Sequence, residues 1–232
     1  MRHDIVIQQP ATPQQLMLLF HGVGASPEHM QQAGSMLANS FPQALVVSVA
    51  GADASDLGQG FQWFSVQGVT EGNRPQRVAA AVPRFVAAVE YWQQQSGLGH
   101  AATALVGFSQ GAIMALEAAV ASPALASRVL AFSGRFASLP ATALPQTTVH
   151  LFHGKSDPVI PYQHSIQAAE HLIALGSDVT AEIEPFVGHQ LHEDLLEKAV
   201  EYLQSHIPKH VWDEAISASP EQAAIKPTIK PR

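Results

Sequence analysis

The chain contains no cysteine. That excludes a disulfide framework and a thiol nucleophile together, leaving hydroxyl, imidazole and carboxyl groups for any covalent chemistry. Charge is also scarce: Asp, Glu, Lys and Arg make up 13% of the residues, about half the ~25% usual in soluble domains. The formal net charge is −7 and no block of Lys or Arg occurs. The electrostatic footprint of a phosphate-backbone binder is therefore missing, and no nucleic-acid partner is expected. No apolar run approaches the ~20 residues needed to cross a bilayer, so no membrane span is expected. The opening stretch MRHDIVIQQP carries Asp4 and too short an apolar segment for an export signal, and the expected location is cytoplasmic. No internal repeat is present.

Apolar residues are plentiful. They make up 47% of 232 residues, enough to bury a sizeable core and to argue against disorder. One domain is expected over residues 1–210. The tail 211–232, poor in apolar residues and punctuated by proline, is expected to be loosely held.

Along the chain, short β-rich runs alternate with runs of helical period, the pattern of an α/β domain with a mostly parallel sheet. DIVIQ (4–8) reads as an edge strand. LMLLF (16–20) and ALVVSV (44–49) are apolar without alternation, as strands covered on both faces are. Ser26-Pro27 offers a helix start running to about Asn39. Residues 50–74 read as a long loop with aromatic anchors. Helical spacing returns over 75–96, although Pro83 inside it predicts a weakened or kinked start. Strands follow at 103–108, 128–134, 148–154 and 179–184. Helices are expected over 110–120 and 164–176, and again from Leu191 to Leu203.

Within this order, Gly107-Phe108-Ser109-Gln110-Gly111 interrupts an apolar stretch between a buried strand and a helix. G-x-S-x-G is a modest signal alone, but a strand-to-helix turn is the context of a nucleophile elbow. Such a turn holds a serine hydroxyl exposed, and the next amide, that of Gln110, can face a developing oxyanion. The bland alternative is a tightly packed turn with an idle serine.

A serine needs a base. Of the twelve histidines, His189 lies in a Gly-containing loop between the last strand and last helix, at the carboxyl edge of a parallel sheet where Ser109 also falls. His192 reads as the start of that helix, and His164 and His171 as solvated positions on another. Asp157 follows the strand 148–154 and precedes Pro158. By itself it reads as a turn aspartate. The order Ser109, Asp157, His189 changes that weighting, because it is the triad order of α/β-hydrolases. A second oxyanion donor is expected from His21-Gly22-Val23-Gly24 after an early strand, with the Val23 N–H as the candidate. His21 itself reads as structural, its ring bonded to loop backbone. Phe61, Trp63, Phe64 and Met114 are candidates to line an acyl pocket, against a reading in which the aromatics anchor a loop. A metal site at His150-x-x-His153 with Asp157, or at His189 with His192, lacks the helical spacing such motifs need. No metal is expected.

With those residues in hand, LLFHGVG, WFSVQG, GFSQGAIMALE, SGRFASLP, HGKSDPVIP and GHQLHED resemble, in order, the motifs of the phospholipase/carboxylesterase family. These small α/β-hydrolases include bacterial carboxylesterases and acyl-protein thioesterases. The resemblance implies an α/β-hydrolase fold with a mostly parallel sheet, helices on both faces and no large lid domain. It implies cofactor-free hydrolysis of a small-molecule acyl ester, with Ser109 as nucleophile, Asp157 as orienting acid, His189 as base, and the Val23 and Gln110 amides as oxyanion donors. A short- to medium-chain carboxylesterase is the leading expectation. Thioesterase or lysophospholipase-like activity on the same residues is the alternative, and a non-catalytic binding protein a more distant one. Thioesterase-like relatives often carry an acidic residue after the WF pair, where this chain has Ser65; that weakens any transfer of their preference for acylated proteins. Oligomeric state is left open.

Overall fold

The computed structural model describes residues 3–209 and 211. Nine strands run in chain order as β1 (Ile5–Gln8), β2 (Gln15–Phe20), β3 (Ala44–Val49), β4 (Asp53–Ala54), β5 (Phe61–Gln62), β6 (Thr103–Phe108), β7 (Arg128–Phe132), β8 (Thr148–Gly154) and β9 (Val179–Glu184). The helices are α1 (Gln31–Ser40), α2 (Arg74–Ser96), α3 (Gln110–Ala121), α4 (Gln163–Ala174) and α5 (Glu193–Ser205). Seven strands form one sheet in the order β1-β3-β2-β6-β7-β8-β9. β1 pairs antiparallel with β3, and every other neighbour in that sheet is parallel.

The lack of alternation in β2 and β3 has a direct cause: both faces are covered. Leu16, Leu18 and Phe20 join one apolar cluster with residues of α2, α3 and α4, whereas Met17 and Leu19 join a second with residues of α1 and α5. The expected α/β-hydrolase architecture, with helices on both faces of a mostly parallel sheet, is what the chain adopts. No helix among the described residues is long and apolar enough to cross a membrane.

Three local expectations need correction. The loop 50–74 contains a small hairpin, β4 paired with β5. The first helix begins as a tighter 3-10 turn at Pro27–Met30 before α1. Pro83 does not interrupt α2, which is continuous from Arg74 to Ser96. Pro83 and Ala79, whose carbonyl the proline leaves unpaired, are both exposed, so water can satisfy that carbonyl. The expectation for the tail falls, Val211 aside, outside the described residues.

Candidate active site

Parallel pairing brings distant loops to one edge. Phe20 lies opposite Gly107, Phe108 opposite Phe132, and Phe132 opposite Phe152. The segments following β2, β6, β8 and β9 therefore emerge side by side, carrying Val23, Ser109, Asp157 and His189.

Ser109 sits at φ 53° and ψ −114° between β6 and α3, a conformation costly for a side chain-bearing residue. Its neighbours explain why the chain turns there. A Cβ on Gly107 would lie 2.5 Å from the Ala112 backbone, and one on Gly111 would lie 2.1 Å from the Phe20 carbonyl oxygen. The glycines permit close approach of helix to sheet, and the turn is pinned by the Ser109 amide donating to the Phe132 carbonyl at 2.9 Å. The Gln110 side chain accepts from the Trp63 amide and donates to the Phe64 carbonyl, both at 2.8 Å. It ties the aromatic loop to the start of α3.

His189 Nε2 lies 2.9 Å from Ser109 Oγ, and His189 Nδ1 lies 2.7 Å from Asp157 Oδ2. The other Asp157 oxygen accepts from the amides of Val159 and Ile160 at 2.8 and 3.0 Å. Burial pushes the Asp157 carboxyl up, but the His189 and backbone hydrogen bonds outweigh it and hold the pKa below the ordinary carboxylate value. An ionised carboxylate only accepts, so Nδ1 carries the imidazole proton and Nε2 is left to accept from the serine hydroxyl. The loops bearing the two partners are laced together: Lys155 and Ser156 donate their amides to the Glu184 and Val187 carbonyls, both at 2.9 Å.

Val23 and Gln110 line the same cleft as Ser109, and neither amide has an acceptor among the described residues. Gly22 brings the first loop close; a Cβ there would stand 3.3 Å from that of Ser109. His21 is structural as expected. Its Nε2 accepts from the Gly51 amide at 2.9 Å while Nδ1 lies 2.7 Å from the Gly22 carbonyl, and burial lowers its pKa.

The cleft measures about 350 Å³, near the lower end of ligand sites. Of the four candidate lining residues only Phe64 borders it. Met114 is fully buried in the core beneath α3, on the inward side of the helix. Trp63 is buried against Phe20 and Phe85, and its indole N–H donates to the His21 carbonyl at 2.9 Å. Phe61 packs beside the His21 ring and borders a different cavity. For Trp63 and Phe61 the loop-anchor reading holds. The apolar wall comes instead from Val66, Val69, Ile113, Val159 and Ile160, joined by Glu71, Arg74, Arg135 and His164. Sequence reading had a usable signal for Val159 and Ile160, which follow Asp157 on a loop at the same edge. It had none for the charged group, whose members share no motif.

His150 and His153 do not converge. His150 Nδ1 lies 2.8 Å from Thr180 Oγ1, and its ring stacks on Tyr202 of α5. His153 Nδ1 lies 2.7 Å from Ser165 Oγ of α4, with Nε2 2.8 Å from the Ile160 carbonyl and 3.3 Å from Asp157 Oδ2. Three residues apart on a strand, they face opposite sides of the sheet. Among the described residues no group of three or more His, Cys, Asp or Glu is arranged to hold an ion. His192 caps α5, accepting from the Asp194 amide. His164 and His171, expected to be solvated, are half-buried against Arg135 and the Pro140 carbonyl.

The phospholipase/carboxylesterase family matches residues 1–207. Esterase YpfH of Escherichia coli is 55% identical over 219 residues, covering 94% of each chain. Among solved structures, esterase PE8 superposes with a TM-score of 0.75 at 30% identity, covering 86% of this chain and 97% of its own. The carboxylesterase of Bacillus cereus does so with a TM-score of 0.74 at 18% identity, covering 88% and 94%, a likeness of fold alone.

Proposed function

Since this chain belongs to the phospholipase/carboxylesterase family and is a carboxylic ester hydrolase, we propose that it cleaves short- to medium-chain acyl esters through an acyl-Ser109 intermediate. Ser109 Oγ attacks the ester carbonyl carbon while its proton passes to His189 Nε2. The resulting oxyanion is held by the amides of Val23 and Gln110, two residues that line the cleft and whose N–H groups have no acceptor among the described residues. As the tetrahedral centre collapses, the bond to the alcohol oxygen breaks and His189 protonates that oxygen. Water then attacks the acyl carbon, gives a proton to His189, and the acid leaves as Ser109 recovers its hydrogen. Asp157 keeps the imidazole in the tautomer that both halves require.

The observation carrying this reading is the unbroken contact chain of 2.9 and 2.7 Å from Ser109 through His189 to Asp157, opening on an apolar cleft. A fluorophosphonate probe is expected to label Ser109 alone. Ser109→Ala should abolish labelling and lower kcat on p-nitrophenyl butyrate by on the order of 10⁶. Label on another residue, or near-normal turnover by the variant, would sink the assignment.

A further inference from the structure

One wall of the cleft takes no part in the hydrolytic steps. Arg135 sends Nη1 and Nη2 to the two oxygens of Glu71 at 3.2 and 2.8 Å, and its Nε to the Phe136 carbonyl at 3.2 Å. Its Nη1 also lies 3.2 Å from His164 Nε2. Arg74 meets Glu71 through Nη1 only, and its Nε and Nη2 have no acceptor among the described residues. The side chains of Arg135 and Arg74 are 15% and 18% exposed, whereas that of Glu71 is 70% exposed. The cations are drawn inward and the anion they share faces water.

The charges do not cancel. Two guanidinium groups stay protonated at any physiological pH, and one carboxylate opposes them. Burial, then Arg135, lowers the pKa of His164, so it adds no charge at neutral pH. The wall is left with one excess positive charge in a protein whose formal net charge is −7. Partly desolvated cations are retained at a cost unless an anion completes them. The wall and Ser109 line one cleft, whose other residues are mostly apolar, among them Val66, Val69 and Ile113.

Resting on the Ser109 reading above, we propose that the cleft selects esters bearing a carboxylate at the far end of the group that fills it. Arg74 is the docking cation, and Arg135, clamped by Glu71, fixes the local field. The substrate class is a monoanionic ester whose carboxylate is separated from the scissile bond by a short apolar spacer. The charge can sit on the acyl or the alcohol portion; the guanidinium recognises the same group either way.

Two matched pairs test this at low salt, each comparing a charged ester with its neutral twin. Mono-p-nitrophenyl adipate against p-nitrophenyl hexanoate places the charge on the acyl side. 4-Carboxyphenyl hexanoate against 4-carbamoylphenyl hexanoate places it on the alcohol side. In at least one pair kcat/KM for the charged member should exceed that of its twin by about tenfold, carried mainly in KM and shrinking as salt is added. Arg74→Gln should erase that ratio and Glu71→Gln should enlarge it; a purely structural wall would not give opposite signs. No charged-over-neutral preference in either pair, or a ratio that both substitutions move in the same direction, overturns the proposal while the serine reading stands. Hydrolysis of the neutral esters by Ser109→Ala would overturn both.

Discussion

Asp157 divides its two oxygens between architecture and chemistry. Oδ1 closes a turn on the Val159 and Ile160 amides, and Oδ2 meets His189. The turn reading and the orienting reading, which the Asp-Pro sequence sets against each other, are geometrically compatible in one buried side chain. They can be separated by substitution. Asp157→Asn keeps an acceptor for the two amides but presents an N–H where the His189 Nδ1–H needs an acceptor. The expected result is a kcat loss of about 10⁴ with the turn intact. Asp157→Ala should lose comparable activity and also leave both amides unpaired, lowering the unfolding free energy by about 2 kcal/mol or more. Urea denaturation beside ester kinetics distinguishes them; equal stability of the two variants would count against the turn role. His153, which approaches the same carboxylate oxygen as His189, was not legible as part of this arrangement. It lies in the HGKSDPVIP motif, but only folding shows that its Nε2 sits between the Ile160 carbonyl, at 2.8 Å, and Asp157 Oδ2, at 3.3 Å.

At the scale of elements, sequence reading succeeds where a run is long enough to have a period. β3, β6 and β8 fall where their largely apolar runs place them, because they are interior strands buried almost throughout, and β9, at the sheet edge, is found by its alternation instead. It fails for β4 and β5, since two-residue strands have no period to detect. It also fails at Pro83, where the outcome depends on which face of α2 meets water. The strand-to-helix turn at Ser109 was legible because its two glycines mark contacts between whole elements. That makes a specific expectation possible. Gly111→Ala drives a Cβ to 2.1 Å from the Phe20 carbonyl oxygen, and backbone cannot yield as a side-chain tip can. The variant should lose about 3 kcal/mol or more of stability. Gly99→Ala, whose Cβ meets nothing within 4 Å, should stay within about 0.5 kcal/mol of the parent. Thermal unfolding of the pair is the measurement, and matching midpoints would refute close packing as the reason for Gly111.

At the scale of the molecule, polar groups gather at both edges of the sheet. The carboxyl edge carries the cleft and its charged wall. Near the amino edge, His150 is fully buried between β9 and α5, stacked on Tyr202, with no hydrogen-bond partner for its Nε2 among the described residues. Burial, reinforced by the positive charges of His206 and Arg128, lowers its pKa from 6.5 to about 3. In the unfolded chain this imidazole takes up a proton below about pH 6.5; in the folded chain it does so only near pH 3. Between those limits the unfolded state binds more protons, so stability falls as pH falls, by up to about 1.4 kcal/mol per pH unit from this residue. Above that window the group is neutral in both states and contributes no slope. His21 and His153, also buried with lowered pKa values, act in the same direction and steepen the loss. His150→Phe keeps an aromatic ring against Tyr202 but cannot take up a proton. Its unfolding free energy, measured in urea by tryptophan fluorescence from pH 4 to 7, should decline with acid less steeply than the parent's by up to one proton. Superimposable slopes would show that His150 is not held neutral by the fold.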